Sequence, residues 1–199
     1  MIKAEVTVNG TVTRAGAVRD GKEGKQFLSF GVSVVIPAKS GINKTVEVSV
    51  AKDYQLGDDT SFATEGKRVN LKGTLTFRKK GDNVFLNMET TEVNTVKPED
   101  KDSIKGDMNF LGKVGSKIEV KDTKNGKKYL STSGFSTTKE GEEFVYTWVR
   151  FIQFDASKPE WLVPKTPIDV KGTLELGVYN DKLDISCRVS ELKQWIKQQ

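Results

Sequence analysis

Apolar residues recur at every second position along much of this chain, the period of a strand with one face in a core. The stretch "IKAEVTVNGTVTR" sets Ile2, Ala4, Val6 and Val8 on one side and reads as a first strand, followed by a glycine-rich turn. "QFLSFGVSVVI", with Phe30, Val32 and Val34 on one face, is a second strand, and "KTVEVSVAK" a third. After an irregular segment containing Phe62 come "KRVNLKGTLTF", the turn "RKKGDN" and "VFLNMETTEV": a fourth strand, a hairpin and a fifth strand.

The same pattern is then written again. "DGKEGKQFLS" (20–29) and "DTKNGKKYLS" (122–131) agree at six of ten positions without a gap, at an offset of 102. At that offset Asn9–Gly10 meets Leu111–Gly112, and Asp53 meets Asp155. "LKGTL" (71–75) and "VKGTL" (170–174) match at an offset of 99, so the second copy has lost a net three residues between the blocks. The charged, proline-broken "VKPEDKDSIKGD" between the copies reads as a linker. Copy two has a tighter strand four–five turn, "YND". One place reads as helical: "SKPE" (157–160) has the Ser-x-x-Glu capping form, "WLV" follows, and Pro164 ends it. Five strands with any helix between the third and fourth is the order of an OB-fold barrel. The expectation is an all-β chain of two tandem five-stranded OB-fold Greek-key barrels, each with at most a short helix between strands three and four. They would occupy residues 1–96 and 107–199, joined by a linker over 97–106.

Composition removes whole classes of chemistry. The 199 residues include no histidine and one cysteine, Cys187. That excludes a disulfide framework within the chain, Cys/His zinc sites and every nucleophile activated by histidine. Cys187, in "LDISCRV", reads as a small strand residue. Adjacent acids at Asp58–Asp59 and Glu142–Glu143 read as solvated loop positions, so no metal, cofactor or catalytic group is expected, and no enzyme. No apolar run is long enough for a transmembrane helix, and the start of the chain lacks a signal-peptide core, so the chain is expected to be cytoplasmic. A formal charge of +5 permits an anionic partner without demanding one.

Three constellations suit such a partner. The first is "VYTWVRFIQFD" (145–155): Trp148, Arg150, Ile152 and Phe154 share one face, and Val149, Phe151 and Gln153 the other. Either face could be core, although burying Arg150 unpaired is costly. At the offset of 102, Val46, Val48 and Lys52 stand for Trp148, Arg150 and Phe154. A lysine there favours the outward reading, which leaves Gln153 unexplained on the core side. Exposed aromatics beside a guanidinium suit base stacking next to phosphate contact. The second is Arg78, Lys79 and Lys80 in the strand four–five hairpin, a phosphate clamp or an ordinary solvated turn. The third is the strand one–two loop of both copies: Lys22 and Lys25 before Phe27, and Lys121, Lys124, Lys127 and Lys128 before Tyr129. Trp161 and Phe62 read as plugs of the barrel bottoms. Trp195 reads as a residue of a short terminal helix or as a partner contact.

These residues resemble the single-stranded-DNA-binding proteins of bacteria and phages. "YTWVRFIQFD" resembles the family's third-strand motif, and "NGKKYLSTSGFST" its Asn-Gly turn and second strand. "LKGTLTFRKKGDN" and "TTEV" resemble its fourth strand, basic loop and fifth strand, and together the motifs cover most of the chain as two copies. The resemblance implies OB folds, sequence-tolerant binding of single-stranded DNA in replication, recombination or repair, and assemblies presenting four OB domains. Here that fits a monomer or a homodimer. It implies that Trp148 and Phe154 stack on bases, that Arg150 is a phosphate or structural contact, and that Arg78, Lys79 and Lys80 track the backbone. Copy one departs from the third-strand motif and copy two from the basic hairpin, keeping Tyr179 and Lys182. The chain ends in "KQWIKQQ" where the family often carries an acidic recruitment tip. An OB module for RNA, or a protein–protein adaptor using the aromatic face, are the competing expectations.

Overall fold

The structure is a computed structural model that describes residues 1–38, 41–81, 83–97, 100–154 and 157–196. Copy one contributes β1 (Ile2–Asp20), β2 (Gln26–Ile36), β3 (Lys44–Tyr54), β4 (Arg68–Lys80) and β5 (Asn83–Thr95). Copy two contributes β6 (Ser103–Asp122), β7 (Lys128–Glu140), β8 (Glu143–Phe154), β9 (Pro167–Tyr179) and β10 (Lys182–Gln194). Hydrogen bonding runs β2-β3-β5-β4-β1-β6-β7-β8-β10-β9, and β1–β2 and β6–β9 pairs close each half on itself. Within each half the pairs are antiparallel except β3–β5 and β8–β10. That is the five-stranded Greek-key OB barrel, present twice.

Each barrel is closed by one overlong first strand. β1 pairs with β4 through its first half and with β2 through its second, and its register slips at Val12/Arg14 and Arg14/Ala17. β6 does the same, slipping between Val114 and Ile118. The first strand runs past Arg14 to Asp20 with its bulged corner at residues 12–17, and the glycine-rich turn follows at Gly21–Lys25; bulges supply the bend that closure needs. The repeated "KGTL" glycines have one shared cause. A Cβ on Gly73 would collide with the Glu89 carbonyl oxygen, and one on Gly172 with that of Arg188.

The alternating apolar positions form the core. Val8, Phe30, Val48, Leu71, Leu75 and Met88 are buried in barrel one, and Phe110, Leu130, Phe151, Leu162 and Ile168 in barrel two. Phe110 and Phe151 meet edge to face at 4.9 Å, and Phe30 meets Phe62 at 5.8 Å. Phe62 and Trp161 both pack half-buried against this core, in the segments between the third and fourth strands.

The copies are joined by β1–β6 pairing from Ile2↔Phe110 to Asn9↔Ser103. Glu5 pairs with Asp107, its own counterpart at the offset of 102, and Lys3↔Asn109 mirrors Thr7↔Lys105. An internal two-fold axis therefore passes through the Glu5–Asp107 pair. β6 starts at Ser103, so residues 103–106 of the expected linker are strand.

Two local expectations are corrected. The "SKPE" segment is not helical: residues 160–161 form a turn, with Leu162 N–H donating to the Pro159 carbonyl at 3.1 Å. Leu162, fully buried, fixes that turn by packing, which outweighs the capping signal. Copy one has a single 3-10 turn there, Ser61–Ala63. Nor is the stretch before Trp195 helical. β10 runs to Gln194 on β9, and Trp195 N–H donates to the Pro167 carbonyl at 3.0 Å. Residues 197–199 and Asp155 lie outside the described residues.

Candidate nucleic-acid interface

On β8 the two faces separate cleanly. Val149 and Phe151 are 1% exposed, whereas Trp148 is 50% and Phe154 46% exposed. Gln153 is half-buried opposite Leu130. The outward face therefore carries Trp148, Arg150, Ile152 and Phe154, flanked on β7 by Phe135, Ser133, Ser131 and Tyr129 in register.

Each aromatic is held by neighbours that leave its ring accessible. Trp148 lies 5.0 Å from Phe135, and at Gly115, on β6, an added Cβ would come within 2.9 Å of the indole. A side chain there would press on the ring, so glycine leaves room for it. Phe154 is 5.9 Å from Tyr129, and the Arg188 guanidinium sits 5.7 Å from its centroid, within cation–π range. Arg150, between Ser133 and Ser186, is ion-paired with Asp184. Arg188 pairs with Glu175 at 2.9 Å. Both guanidiniums are half-exposed or more, so their pairs are worth little in themselves and present the cations to the face.

Beyond Tyr129 lies the strand one–two loop of copy two. Thr123 Oγ1 accepts Lys127 N–H at 3.0 Å, and Thr123 N–H donates to the Lys127 carbonyl at 2.7 Å. Gly126 supplies the left-handed turn residue at φ 74°. Lys124, Lys127 and Lys128 stand exposed, and Lys121 pairs with Glu119 at 2.7 Å. In copy one the 3-10 turn Lys22–Gly24 leads to Lys25, exposed, and Phe27, half-buried.

The basic hairpin of copy one borders the aromatic face of copy two. Arg78 Nε donates to Glu140 Oε1 at 2.7 Å, reaching the β7–β8 hairpin. Lys79 lines an open groove of about 460 Å³ between the barrels together with Lys44, Thr147, Trp148 and Lys182. Lys80 is exposed at the tip. Lys79 and Trp148, distant in sequence, are thus brought to one groove, while Arg78 is engaged by an acid.

The correspondence between the third strands is corrected by one residue. Phe27 pairs with Asp53, and its counterpart Tyr129 pairs with Phe154, so the offset is 101 here. Between equivalent paired positions the chain is one residue longer in copy one, from Phe27 to Asp53, than in copy two, from Tyr129 to Phe154, and the ungapped match on the flanking blocks hid this. Val46 and Val48 are core and do not stand for Trp148 and Arg150. Glu47, Ser49 and Asp53 occupy the positions of Trp148, Arg150 and Phe154. The parallel pairs Ser49↔Asn87 and Arg150↔Ser186 place Glu89 where Arg188 stands. Copy one's outer face is therefore acidic, and Glu47 is 3.8 Å from Arg14.

Phe135 and Arg188 were not among the candidates drawn from sequence. Phe135 was legible, since it shares the alternation of Tyr129. Arg188 reaches the face through a parallel register that no local pattern encodes.

The remaining reactive groups have structural surroundings. Burial pushes the Cys187 thiol up to about 12, with Glu175 and Asp107 adding to the effect. Native protein at pH 8 should therefore resist a disulfide-exchange reagent that titrates one thiol after unfolding; rapid native labelling would contradict this burial. Asp58 accepts Gln55 N–H at 3.0 Å and Asp59 accepts Ser61 N–H at 2.8 Å, so both acids shape a turn. Among the described residues, no group of three metal-ligating side chains comes together. Nor, among the described residues, is any helix long and apolar enough to cross a membrane.

Comparison with known proteins gives no matching family model and no matching curated protein. Among solved structures, the chain is similar to the wild-type single-stranded DNA binding protein from Thermus aquaticus (12% identity, TM-score 0.48, covering 98% of this chain and 94% of that one). A deletion mutant of the same Thermus protein gives 14% identity and TM-score 0.48, covering 98% of this chain and 95% of that one. The N-terminal domain of PriB protein from Thermoanaerobacter tencongensis covers 47% of this chain and 97% of its own, at 18% identity and TM-score 0.31.

Proposed function

We propose that this chain binds and protects single-stranded DNA without sequence preference and without modifying it, in replication, recombination or repair. The observation that carries this reading is the outward face of β8. Trp148 and Phe154 stand about half exposed at either end of a strip that holds Arg150 and Arg188 between them. Large aromatics left in water cost free energy unless something covers them, and every base has a π-face to do so. The six-residue spacing sets the two rings roughly 20 Å apart along the strand. Lys124, Lys127 and Lys128 continue the strip past Phe154, and Lys79 past Trp148, where phosphates would release counterions on binding. Phe27, Lys25, Arg78 and Lys80 would then be peripheral contacts. A homodimer of such chains would present four OB domains.

The test is a titration of tryptophan fluorescence with oligo-dT at two salt concentrations. The expected result is strong quenching, with affinity falling as salt rises. Absence of binding at low salt would sink the reading. Competition by a matched RNA oligomer checks whether the strip discriminates the sugar.

A further inference from the structure

At the far end of β8 lies a second aromatic group that the strip above does not use. Phe144 is 59% and Tyr146 45% exposed, both on the same face as Trp148. Tyr146 meets Phe135 edge to face at 5.6 Å, and Phe135 in turn packs on Trp148. Phe135, Phe144 and Tyr146, with Thr137, Lys113 and Lys165, line a cavity of about 400 Å³. That lies in the size range of pockets that hold small organic ligands.

The two lysines are placed there by the backbone. Lys165 N–H donates to the Val114 carbonyl at 2.9 Å, and Val114 N–H donates to the Thr166 carbonyl at 3.0 Å. This bracket fixes Lys165 beside Lys113, and neither has an ion-pair partner among the described residues. Lys165 sits at φ 70°, a left-handed conformation that costs a lysine free energy. Copy one makes the same bracket, Gly66 N–H to Val12 and Val12 N–H to Lys67, and uses glycine at φ 83°. Where glycine serves structurally, copy two keeps a strained cation beside an aromatic pocket.

The rest of the corner differs in the same direction. By strand register, Lys113, Phe135 and Tyr146 replace Thr11, Ser33 and Thr45 of copy one. Copy one's corner carries the acids of the connecting segment instead. Asp102 accepts Val35 N–H at 2.9 Å and is ion-paired with Arg68, and Val35 is the counterpart of Thr137. Barrel one has at this corner an open pocket of about 700 Å³ in which Asp100 and Asp102 offset Arg68 and Lys101 and no aromatic takes part; barrel two has it aromatic and cationic, with no acid in the lining.

The geometry points to a nucleotide subsite: the Phe135–Phe144–Tyr146 pocket takes one base of the bound strand, and Lys113 and Lys165 take its phosphate. This rests on the reading of the chain as a single-stranded-DNA binder and extends the track beyond Trp148. Successive same-face positions on a strand lie about 7 Å apart, twice the roughly 3.4 Å thickness of a stacked base. That is room for one base between Phe144 and Tyr146.

The test compares the wild type with Phe144→Ala and Lys165→Gly, using oligo-dT of about four and about sixteen nucleotides, the two ends of the range for one OB barrel. Phe144 is exposed and glycine suits φ 70°, so both variants should fold, which circular dichroism checks. Phe144→Ala is expected to weaken binding of the long oligomer by roughly 5- to 100-fold and to leave the short one unchanged. Lys165→Gly should lower the log–log salt slope by about one. Photocrosslinking of a bromouracil-substituted long oligomer should label the 143–147 segment. If wild type binds the long oligomer while both variants match it in affinity and salt slope and the segment stays unlabelled, the subsite is overturned and the wider reading stands. If the wild type fails to bind at low salt, both fall together.

Discussion

Phe151→Ala is expected to cost about 3–5 kcal/mol of stability, the range for removing a buried phenylalanine. Its ring is 1% exposed and locked edge to face against Phe110 at 4.9 Å. In a chain of this length that lowers the midpoint of thermal unfolding by roughly 6–20 °C. Trp148→Ala, three residues away on the other face, should leave that midpoint within a few degrees, since half of the indole is already in water. It should instead weaken oligo-dT binding by about 1–3 kcal/mol, one stacked base. Circular dichroism melts and binding titrations of the two variants separate the faces. The opposite outcome, an unfolded Trp148→Ala or a stable Phe151→Ala, would reverse the assignment of core and surface on β8.

Most of the fold is legible because β alternation and the repeat report on each other. Alternation alone left β8 with two candidate core faces, and the burial of Val149 and Phe151 settles which one is inside. The ungapped repeat sets Lys52 against Phe154, whereas the register sets Asp53 there. A one-residue difference in chain length flips every side chain to the other face of a strand, and ungapped matching cannot see it. The β1–β6 seam was not legible either. Its register brings two like-charged equivalents, Glu5 and Asp107, face to face, which no pairing preference would suggest. The seam also explains why the basic hairpin at 78–80 faces copy two: the internal two-fold, not chain proximity, decides which loops meet. The capping signal at Ser157 failed because three residues cannot sustain a helix against the burial of Leu162.

The largest effect on binding is expected from giving copy two the outer face of copy one. Trp148→Glu, Phe154→Asp and Arg188→Glu together install the residues that stand at those positions in barrel one. Two stacking contributions of about 1–3 kcal/mol each disappear, which is a loss of roughly 30-fold to 10⁴-fold before charge is considered. The charge of the face also changes sign, so the loss should be steepest at low salt, where repulsion between carboxylates and phosphates is least screened. All three side chains point outward, and the melting midpoint should hold. The reciprocal set, Glu47→Gln, Asp53→Asn and Glu89→Gln, removes the acids of copy one. If that face only repels the strand, affinity should tighten by no more than a few-fold at low salt and be unchanged at high salt, because exposed charges beyond about 10 Å are screened there. A triple copy-two variant that binds as the wild type does would place the strand on another surface. A copy-one set that tightens binding strongly at high salt would mean that the acidic face lies directly on the path. Between these outcomes, three outward positions on strands three and five decide whether the two barrels, built on one pattern, do separate work.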